Sequence, residues 1–556
     1  MNHVNRALLG ASIAAIAVAG QAHAQAVAPA ADAPSQQPVE VETANQAPDS
    51  NDIVVTANKR EQRLNDVGIT VAVVSGDALQ NRQINSLADL ANATPSLSFT
   101  NSANGTPVYT LRGVGFYETS IGAYPTVSTY VDEAPLAFPV LSSHSAFDLE
   151  RVEILKGPQG TLFGQNATGG AINYIAAKPT SELSAGGSIS YGRFNEVVAD
   201  AFISGPISST LSARLAGRIE RADGWQISNS RPGDRNGKVE NYMGRLLIDF
   251  EPTERLRFKL NINGWKDNSE TQAPQYIALF PQAPAFLTPQ LAAAQFSPER
   301  PQAADWTPGV PRRSNRLGQA TLRTEFDVSD DVTLTSLTSY ADYKQRQGDE
   351  GDGLPLSTLD LVNNTGRIKS FNQELRISNN SGSDFRWVVG ANYERSTVNE
   401  LIDLSFPDVS VRGLYGSFGY PFFSLSYSND QKMENYAGFA NIEYDIGQLT
   451  VKLGGRYTKS RTDASECGFD DSGSPTNTGP LFYDVLFGGA LGPYAGQCYQ
   501  INNTPDTYNG VAPGASGRFT DTLKEDNFSW RVGLDYKPVD DVLLYANVAK
   551  GYKAGS

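Results

Sequence analysis

Histidine and cysteine are almost missing from this chain of 556 residues: His3, His23, His144, Cys467 and Cys498 are all it has. The first two histidines fall in what reads below as a removable leader, so one remains. A single imidazole builds no His-based metal cage, and a serine or cysteine triad would hang entirely on His144. Basic charge is also scarce, with 45 Lys plus Arg against 60 Asp plus Glu and a net charge of −15. Phosphate binding is driven by basic surface, which argues against a nucleic-acid partner. Charged residues total only 19%, yet mean hydropathy is −0.34. Uncharged polar residues, 51 Gly and 24 Tyr make up the difference. That profile fits a large β-protein wetted on one side and points away from an enzyme. No cofactor and no metal site is expected.

Long apolar runs are missing too. Residues 1–24 carry Arg6, an apolar run from Ala7 to Gly20, and Ala22-His23-Ala24. These are the n-region, h-region and A-x-A site of a secretory signal peptide cleaved after Ala24. The run of about 14 residues is shorter than the roughly 20 that a spanning helix needs. No other stretch qualifies, so entry into a membrane has to be as a β-barrel. Residues 25–51, rich in Ala, Pro and Gln, read as a disordered tether.

What the chain does have is a period of two. Leu211, Ala213, Leu215, Gly217 and Ile219 share one face, with Ser212, Arg214, Arg218 and Glu220 on the other. Leu256, Phe258, Leu260 and Ile262 alternate with Arg255, Arg257, Lys259 and Asn261 in the same way. This alternation is the signature of half-buried strands. It predicts 13 of them: 184–192, 195–204, 209–221, 238–250, 254–265, 313–328, 331–343, 367–378, 385–396, 432–445, 448–460, 523–537 and 541–552. Tight connections (Gly205-Pro206, Glu251-Pro252, Ser329-Asp330-Asp331, 379–384, Asp445-Ile446-Gly447, 537–541) alternate with long ones (222–237, 266–312, 344–366, 397–431, 461–522). A soluble all-β array with one-sided insertions is the bland alternative. Short turns at one end and long loops at the other instead predict an outer-membrane barrel. An odd strand count, and a closed barrel of roughly 22 strands, predict that the sequence is a C-terminally truncated fragment.

Residues 52–180 do not alternate over long runs; a helix-like stretch covers 77–93. Here the residues begin to resemble a family. Asp52-Ile53-Val54-Val55-Thr56-Ala57 resembles a TonB box. Leu111-Arg112-Gly113-Val114-Gly115, Tyr130-Val131-Asp132, and Glu150 to Gly160 (ERVEILKGPQG) followed by Gly169-Gly170-Ala171-Ile172-Asn173 are similar to the plug domain of TonB-dependent outer-membrane receptors. Gln373-Glu374-Leu375-Arg376, Gly455-Arg456-Tyr457-Thr458 and Lys550-Gly551-Tyr552-Lys553-Ala554-Gly555 are similar to segments of their barrels. The resemblance implies a transmembrane β fold, with an N-terminal α/β plug (58–180) inside a large antiparallel β-barrel (184–556). It also implies TonB, the inner-membrane energy-coupling complex, as a partner docking at Asp52–Ala57, with outer-membrane lipid around the wall. An extended, β-branched hexamer behind a flexible tether suits pairing with an exposed sheet edge. In family members plug arginines and wall glutamates interlock, a role carried here to Arg112, Arg151 and Glu374. Ser460 stands where many members have a second acidic residue, which implies a looser lock. Glycines 157, 160, 164, 169 and 170 are expected in tight turns against the wall.

A solute arriving from outside meets the plug apex and the long loops. Phe116, Tyr117, Glu118 and Tyr124, with Tyr415, Phe418, Tyr420 and Phe422, are the contact candidates, suited to stacking on a flat aromatic or a sugar face. The alternative for the second group is a loop-packing or girdle cluster. Cys467 and Cys498, in one loop of an exported protein, are expected to form a disulfide. Asp349-Glu350-Gly351-Asp352 has the composition of a calcium loop but is expected to be solvated. The family resemblance implies active import of a scarce small molecule, foremost a ferric siderophore. Oligosaccharides, cobalamin-like cofactors and aromatic compounds are the alternatives within it, and a passive porin or adhesin barrel the alternative outside it.

Overall fold

The computed structural model describes residues 53–555 except 83, 85–86, 103–104, 310–311, 380–381, 420, 470–497, 499, 503–505, 509–510, 514 and 540. The leader, the tether, Asp52 and Tyr420 lie outside the described residues. Thirteen antiparallel strands form one sheet in chain order: Ser184–Gly192, Glu196–Ser208, Leu211–Ala222, Val239–Thr253, Leu256–Asp267, Asn315–Ser329, Val332–Glu350, Asp360–Asn379, Phe385–Ser405, Ser424–Ile446, Leu449–Phe469, Phe519–Val539 and Val542–Lys550. Every strand expected from the alternation is present. The first and last form the two edges of the sheet and do not pair with each other.

Two details differ from expectation. Gly205-Pro206 and Glu251-Pro252 are not turns; both lie inside strand ends, where the register shifts between Pro206 and Ser208 and between Phe250 and Thr253. A bulge accommodates a residue that donates no ladder hydrogen bond, so proline ends the alternation without ending the strand. At the other end strands run further than their alternation, to Glu350, Ser405 and Phe469. Beyond the lipid both faces are polar, so the pattern fades while backbone pairing continues.

The sheet inverts the order of a soluble protein. Its inner face is polar and buried (Arg214, Asn241, Asn261, Gln319, Asn372, Asn435), whereas Leu322, Leu375, Val389, Ile442, Leu453 and Val532 are exposed on the outer face. So large an apolar surface needs lipid around it. Aromatic residues bound it: Tyr340, Tyr393, Tyr436, Tyr457 and Phe528 toward the long loops, and Phe250, Phe326, Phe385, Tyr444 and Tyr536 toward the short turns. Tyr436 and Tyr444 share one strand, about 26 Å apart along it at roughly 3.3 Å per residue; at a strand tilt of about 40° that is roughly 20 Å of height, near the apolar band of about 25 Å of an outer-membrane barrel. Above the upper girdle, Lys266, Arg316, Lys344 and Arg367 stand directly opposite one another across four strands. Charge marks where the lipid tails stop.

Inside the sheet sits a mixed five-stranded unit in the order Val71–Ser75, Leu149–Lys156, Gly170–Ala176, Val127–Val131, Ala134–Leu136. The 77–93 stretch is two helices, Gly76–Asn81 and Leu87–Ala93, the first capped by Ser75, whose hydroxyl accepts from Ala78 N. Leu111, Ile121, Phe138, Leu141, Ile154 and Ile172 are fully buried in one core with wall residues Met243, Trp265, Leu317, Tyr343, Ile368 and Val398. Because plug and wall share this core, the plug fills the lumen. Gly160 and Gly164 pass so close to the wall that a Cβ would meet Ser529 Oγ at 3.1 Å and Arg456 at 3.2 Å.

Leu375→Arg, in the middle of the apolar band, is expected to destabilise the barrel by about 2–4 kcal/mol. Asp330→Arg, in a tight turn, should stay within about 0.5 kcal/mol. Urea-dependent folding into lipid vesicles measures both, and equal effects would contradict the lipid-facing assignment of Leu375.

Candidate functional site

Ile53–Ala57 begins the described chain and is folded rather than free. Val54–Val55 pairs antiparallel with Gln62–Arg63, and Leu64 N donates to Ile53 O at 2.8 Å. Val55 and Ala57 are buried while Ile53 and Val54 stay exposed. Thr56 is fixed through its backbone N and its hydroxyl, which donate to the two carboxylate oxygens of Glu153, both at 3.0 Å. Arg151 Nε donates to the same carboxylate at 2.8 Å, and Glu153 is fully buried. Asn173 bridges onward: its amide donates to the Thr56 hydroxyl at 3.4 Å and its carbonyl oxygen accepts from Glu133 N at 3.2 Å.

Glu133 is the centre of the site. It lies with Asp132 in the two-residue turn between Val127–Val131 and Ala134–Leu136, both at positive φ (67° and 48°). Neither is glycine, so the turn carries a steric cost that its surroundings must hold in place. They do: Asp132 accepts from Ala176 N at 2.9 Å and from Asn261 of the wall at 2.6 Å. The Glu133 carboxylate receives Arg376 at 2.6 Å, Arg323 at 2.9 Å and Lys59 at 3.6 Å. Lys59 also lies 3.5 Å from Glu374, which Arg376 meets at 2.8 Å, and Arg323 meets Glu325 at 2.7 Å. Around Glu133 three cations (Lys59, Arg323, Arg376) and three carboxylates (Glu133, Glu325, Glu374) form a network that is buried at the plug and runs on through Arg257 and Asp327 toward the short turns. Burial alone would raise the Glu133 pKa; Arg376, Arg323 and Lys59 outweigh it and hold the carboxyl well below its usual range. Next to the network a cavity of about 580 Å³ opens between plug and wall, lined among others by Thr56, Lys59, Arg151, Lys259, Arg323 and Arg376.

Further contacts secure the plug elsewhere. Arg214 donates to Asp148 at 3.0 and 3.1 Å, and Arg245 donates to the carbonyls of Phe147 and Asp148 at 2.7 and 2.8 Å. Glu400 accepts from Ser120 Oγ at 2.6 Å and Ile121 N at 3.2 Å. His144 Nε2 lies 3.5 Å from Asp267, which Arg313 also engages, so this histidine is a plug–wall contact.

Of the expected lock, Glu374 is in it and the two arginines are not. Arg112 sits in the left-handed turn closed by the Leu111–Val114 bridge; its side chain is exposed and makes no ion pair among the described residues. Arg151 pairs within the plug, to Glu150 and Glu153, and so holds the Ile53–Ala57 segment instead of the wall. At Ser460 the missing carboxylate is replaced by a neutral bond to Gln165 at 3.0 Å. Lys59, Glu133 and Arg376 were not singled out. Alternation already put Arg376 on the same face as Glu374, and Asp132-Glu133 between two apolar strands was a charged turn in a buried place.

Phe116 and Tyr117 are exposed, with Lys553 Nζ 4.3 Å from the Phe116 ring centroid. Glu118 turns back on its own loop, accepting from Thr119 N at 2.6 Å. Tyr124 is no solute contact: it is 1% exposed, stacks on Phe138 at 5.2 Å, and its hydroxyl lies between Glu394 and Asn435. Phe422 packs on Phe406 (4.9 Å) and Tyr415 (6.4 Å) beside the helix Ser410–Ser417, so these rings pack the loop, while Phe418 is exposed. Cys467 and Cys498 are joined in a disulfide with Cα atoms 5.0 Å apart; Cys467 lies on the extended end of Leu449–Phe469 rather than in a loop.

Residues 63–171 match the family model described as TonB-dependent Receptor Plug Domain, and residues 263–556 that described as TonB dependent receptor-like, beta-barrel. The pesticin receptor of Yersinia pestis is 30% identical over 221 residues, covering 37% of this chain and 31% of that protein. The iron-regulated outer membrane virulence protein of Vibrio cholerae serotype O1 is 24% identical over 226 residues (38% and 33%). The matched stretch thus spans about a third of these curated relatives. Among solved structures, the ferric yersiniabactin uptake receptor FyuA of Yersinia pestis superposes with a TM-score of 0.65 at 18% identity, over 87% of this chain and 65% of that one. The ferric-catecholate import receptor Fiu of E. coli K12, in its open form, gives 0.61 at 17% identity, over 89% and 71%.

Glu133→Gln leaves Arg376, Arg323 and Lys59 with one carboxylate too few. It should lower plug stability by about 3–5 kcal/mol, read as an earlier urea midpoint for protease access to the plug. The sign with pH follows from the lowered pKa. The Glu133 contribution is fully present above the unfolded value of about 4.3 and is lost as pH falls toward the folded one. The wild-type excess over Glu133→Gln should therefore be constant from about pH 8 to 5 and shrink below about pH 4. An excess that varies between pH 5 and 8 would contradict it.

Proposed function

The chain belongs to the TonB-dependent receptors, and from that membership we propose that it imports a scarce solute across the outer membrane, driven by TonB acting on Asp52–Ala57. The observation that carries this reading is the placement of Lys59. It lies two residues after Ala57 and is buried in the network that joins plug to wall. A partner that peels Ile53–Ala57 away takes Thr56 from Glu153 and draws on Lys59, so a pull at the plug's edge reaches the lock directly. The exposed Ile53 and Val54 beside buried Val55 and Ala57 give that partner a first hold. Family members are transport receptors rather than enzymes, and the outer membrane holds no ATP, so uphill import needs such coupling.

A ferric siderophore is the solute we favour. The relatives named above include an iron-regulated protein and a ferric yersiniabactin receptor. Phe116 and Tyr117, with Arg112 and Lys553 nearby in the chain or in space, offer aromatic faces and cations to a flat, anionic iron chelate. A passive pore is disfavoured by the core that plug and wall share.

Uptake of radioiron from a panel of ferric siderophores, in cells carrying the wild type or a deletion of Asp52–Ala57, tests the reading. Accumulation of at least one chelate is expected, and it should fall to background in the deletion. Undiminished uptake would remove energy coupling. Single-channel recording of the full-length protein should be nearly silent, and steady open conductance would favour the porin instead.

A further inference from the structure

The acidic run expected to be a solvated loop is not one. Glu350 ends the strand Val332–Glu350 above the lipid band, and Asp360, its cross-strand partner, begins Asp360–Asn379. They are 4% and 6% exposed, and one carboxylate oxygen from each of Glu350, Asp352 and Asp360 lies within 4.8 Å of the others. Among the described residues no Lys, Arg or His forms an ion pair with any of the three, unlike the balanced charges around Glu133. Three like charges gathered in a largely buried place without a counter-ion are strongly unfavourable. They need a proton or a cation.

Two orphaned oxygens, one within the cluster and one beside it, favour the cation. Asp360 Oδ1 is buried and has no hydrogen-bond partner, although its residue is more than nine-tenths buried. The hydroxyl of Tyr276, a residue 7% exposed, is likewise buried and unpartnered. Tyr276 packs with Leu354 of the same hairpin loop, and the Asp352 charge acts on its hydroxyl. Backbone and side-chain donors already engage the other carboxylate oxygens: Thr307 N reaches Glu350 Oε2 at 3.1 Å, and Thr358 N reaches Asp352 Oδ2 at 2.7 Å. The loop is therefore preformed, and the orphaned oxygens are what remains to be satisfied. We propose that Glu350, Asp352 and Asp360, with Tyr276 beside them, form a binding site for a hard divalent cation of the calcium class. All the donors are oxygens, and they come from two strand ends and the loops beside them, an irregular set that suits the larger, less geometrically demanding ion. Bound there, the ion joins the 351–359 hairpin to the long loop carrying Tyr276 and Thr307, and fixes both at the solute-facing end of the barrel.

Terbium titration of the full-length protein in detergent tests the site, with emission sensitised through Tyr276 and the neighbouring Trp306. Saturable emission displaced by calcium is expected. Asp360→Asn and Glu350→Gln should each weaken it by about tenfold or more, and Asp330→Asn, at the opposite end, should not. Absent saturation in the wild type, or equal titrations in all variants, would overturn the proposal. Heat-modifiable migration on gels checks that each variant is folded. If one is not, calcium protection of the wild-type 351–359 loop from protease decides, and cleavage indifferent to calcium counts against the site.

Discussion

One carboxylate lies at the centre of the ion network that joins plug and wall. Glu133 stands on a turn whose φ angles are costly for its residue types, in a place where an unpaired charge would be costly too. Arg376 and Arg323 from the wall and Lys59 from the plug offset both costs. The strained turn presents the charge, the charge meets the wall, and the wall fixes the plug inside a lumen whose polar lining would otherwise hold water. The shared apolar core supplies area, while the ion network supplies the register between plug and wall. A buried network of this kind is weak evidence of net stability, because desolvation opposes it. It is better suited to something that must hold firmly and still be released.

Release is where the first described residues matter. Ile53–Ala57 is tucked against the plug through Thr56–Glu153, a two-residue strand pair, and the burial of Val55 and Ala57 in an apolar cluster with Leu155, Leu162 and Phe163. Asn173 connects Thr56 to the Glu133 turn, and Lys59 of the ion network follows Ala57 by two residues. The extended hexamer expected from the sequence is folded against the plug.

The barrel was legible in the sequence because lipid on one side and water on the other impose a strict period of two. Leu375, Val389 and Ile442 announce their face without any knowledge of neighbours. The failures have a common cause as well. Proline at 206 and 252 reads as a turn locally, while pairing with the next strand decides otherwise. Arg112 and Arg151 carry the right charge in matching motifs, yet a left-handed turn sends one outward and Glu153 captures the other. Tyr124 lies in a segment expected to face solute, but its ring is stacked on Phe138 inside the core. Asp349 to Asp352 looks solvated until strand pairing brings Asp360 across from Glu350. For the prolines, Tyr124 and the acidic run the deciding partner lies several residues or more away in sequence, whereas for the two arginines it is local backbone and a neighbour two residues on.

Coupling between the N-terminal segment and the ion network is a matter of force, so pulling measures it. A single receptor in a bilayer can be pulled from a handle placed ahead of Ile53. The account predicts an early rupture after release of only the first few residues, and a lower rupture force in Lys59→Met or Glu133→Gln than in the wild type. A wild-type trace whose first rupture is unchanged by both substitutions would contradict it.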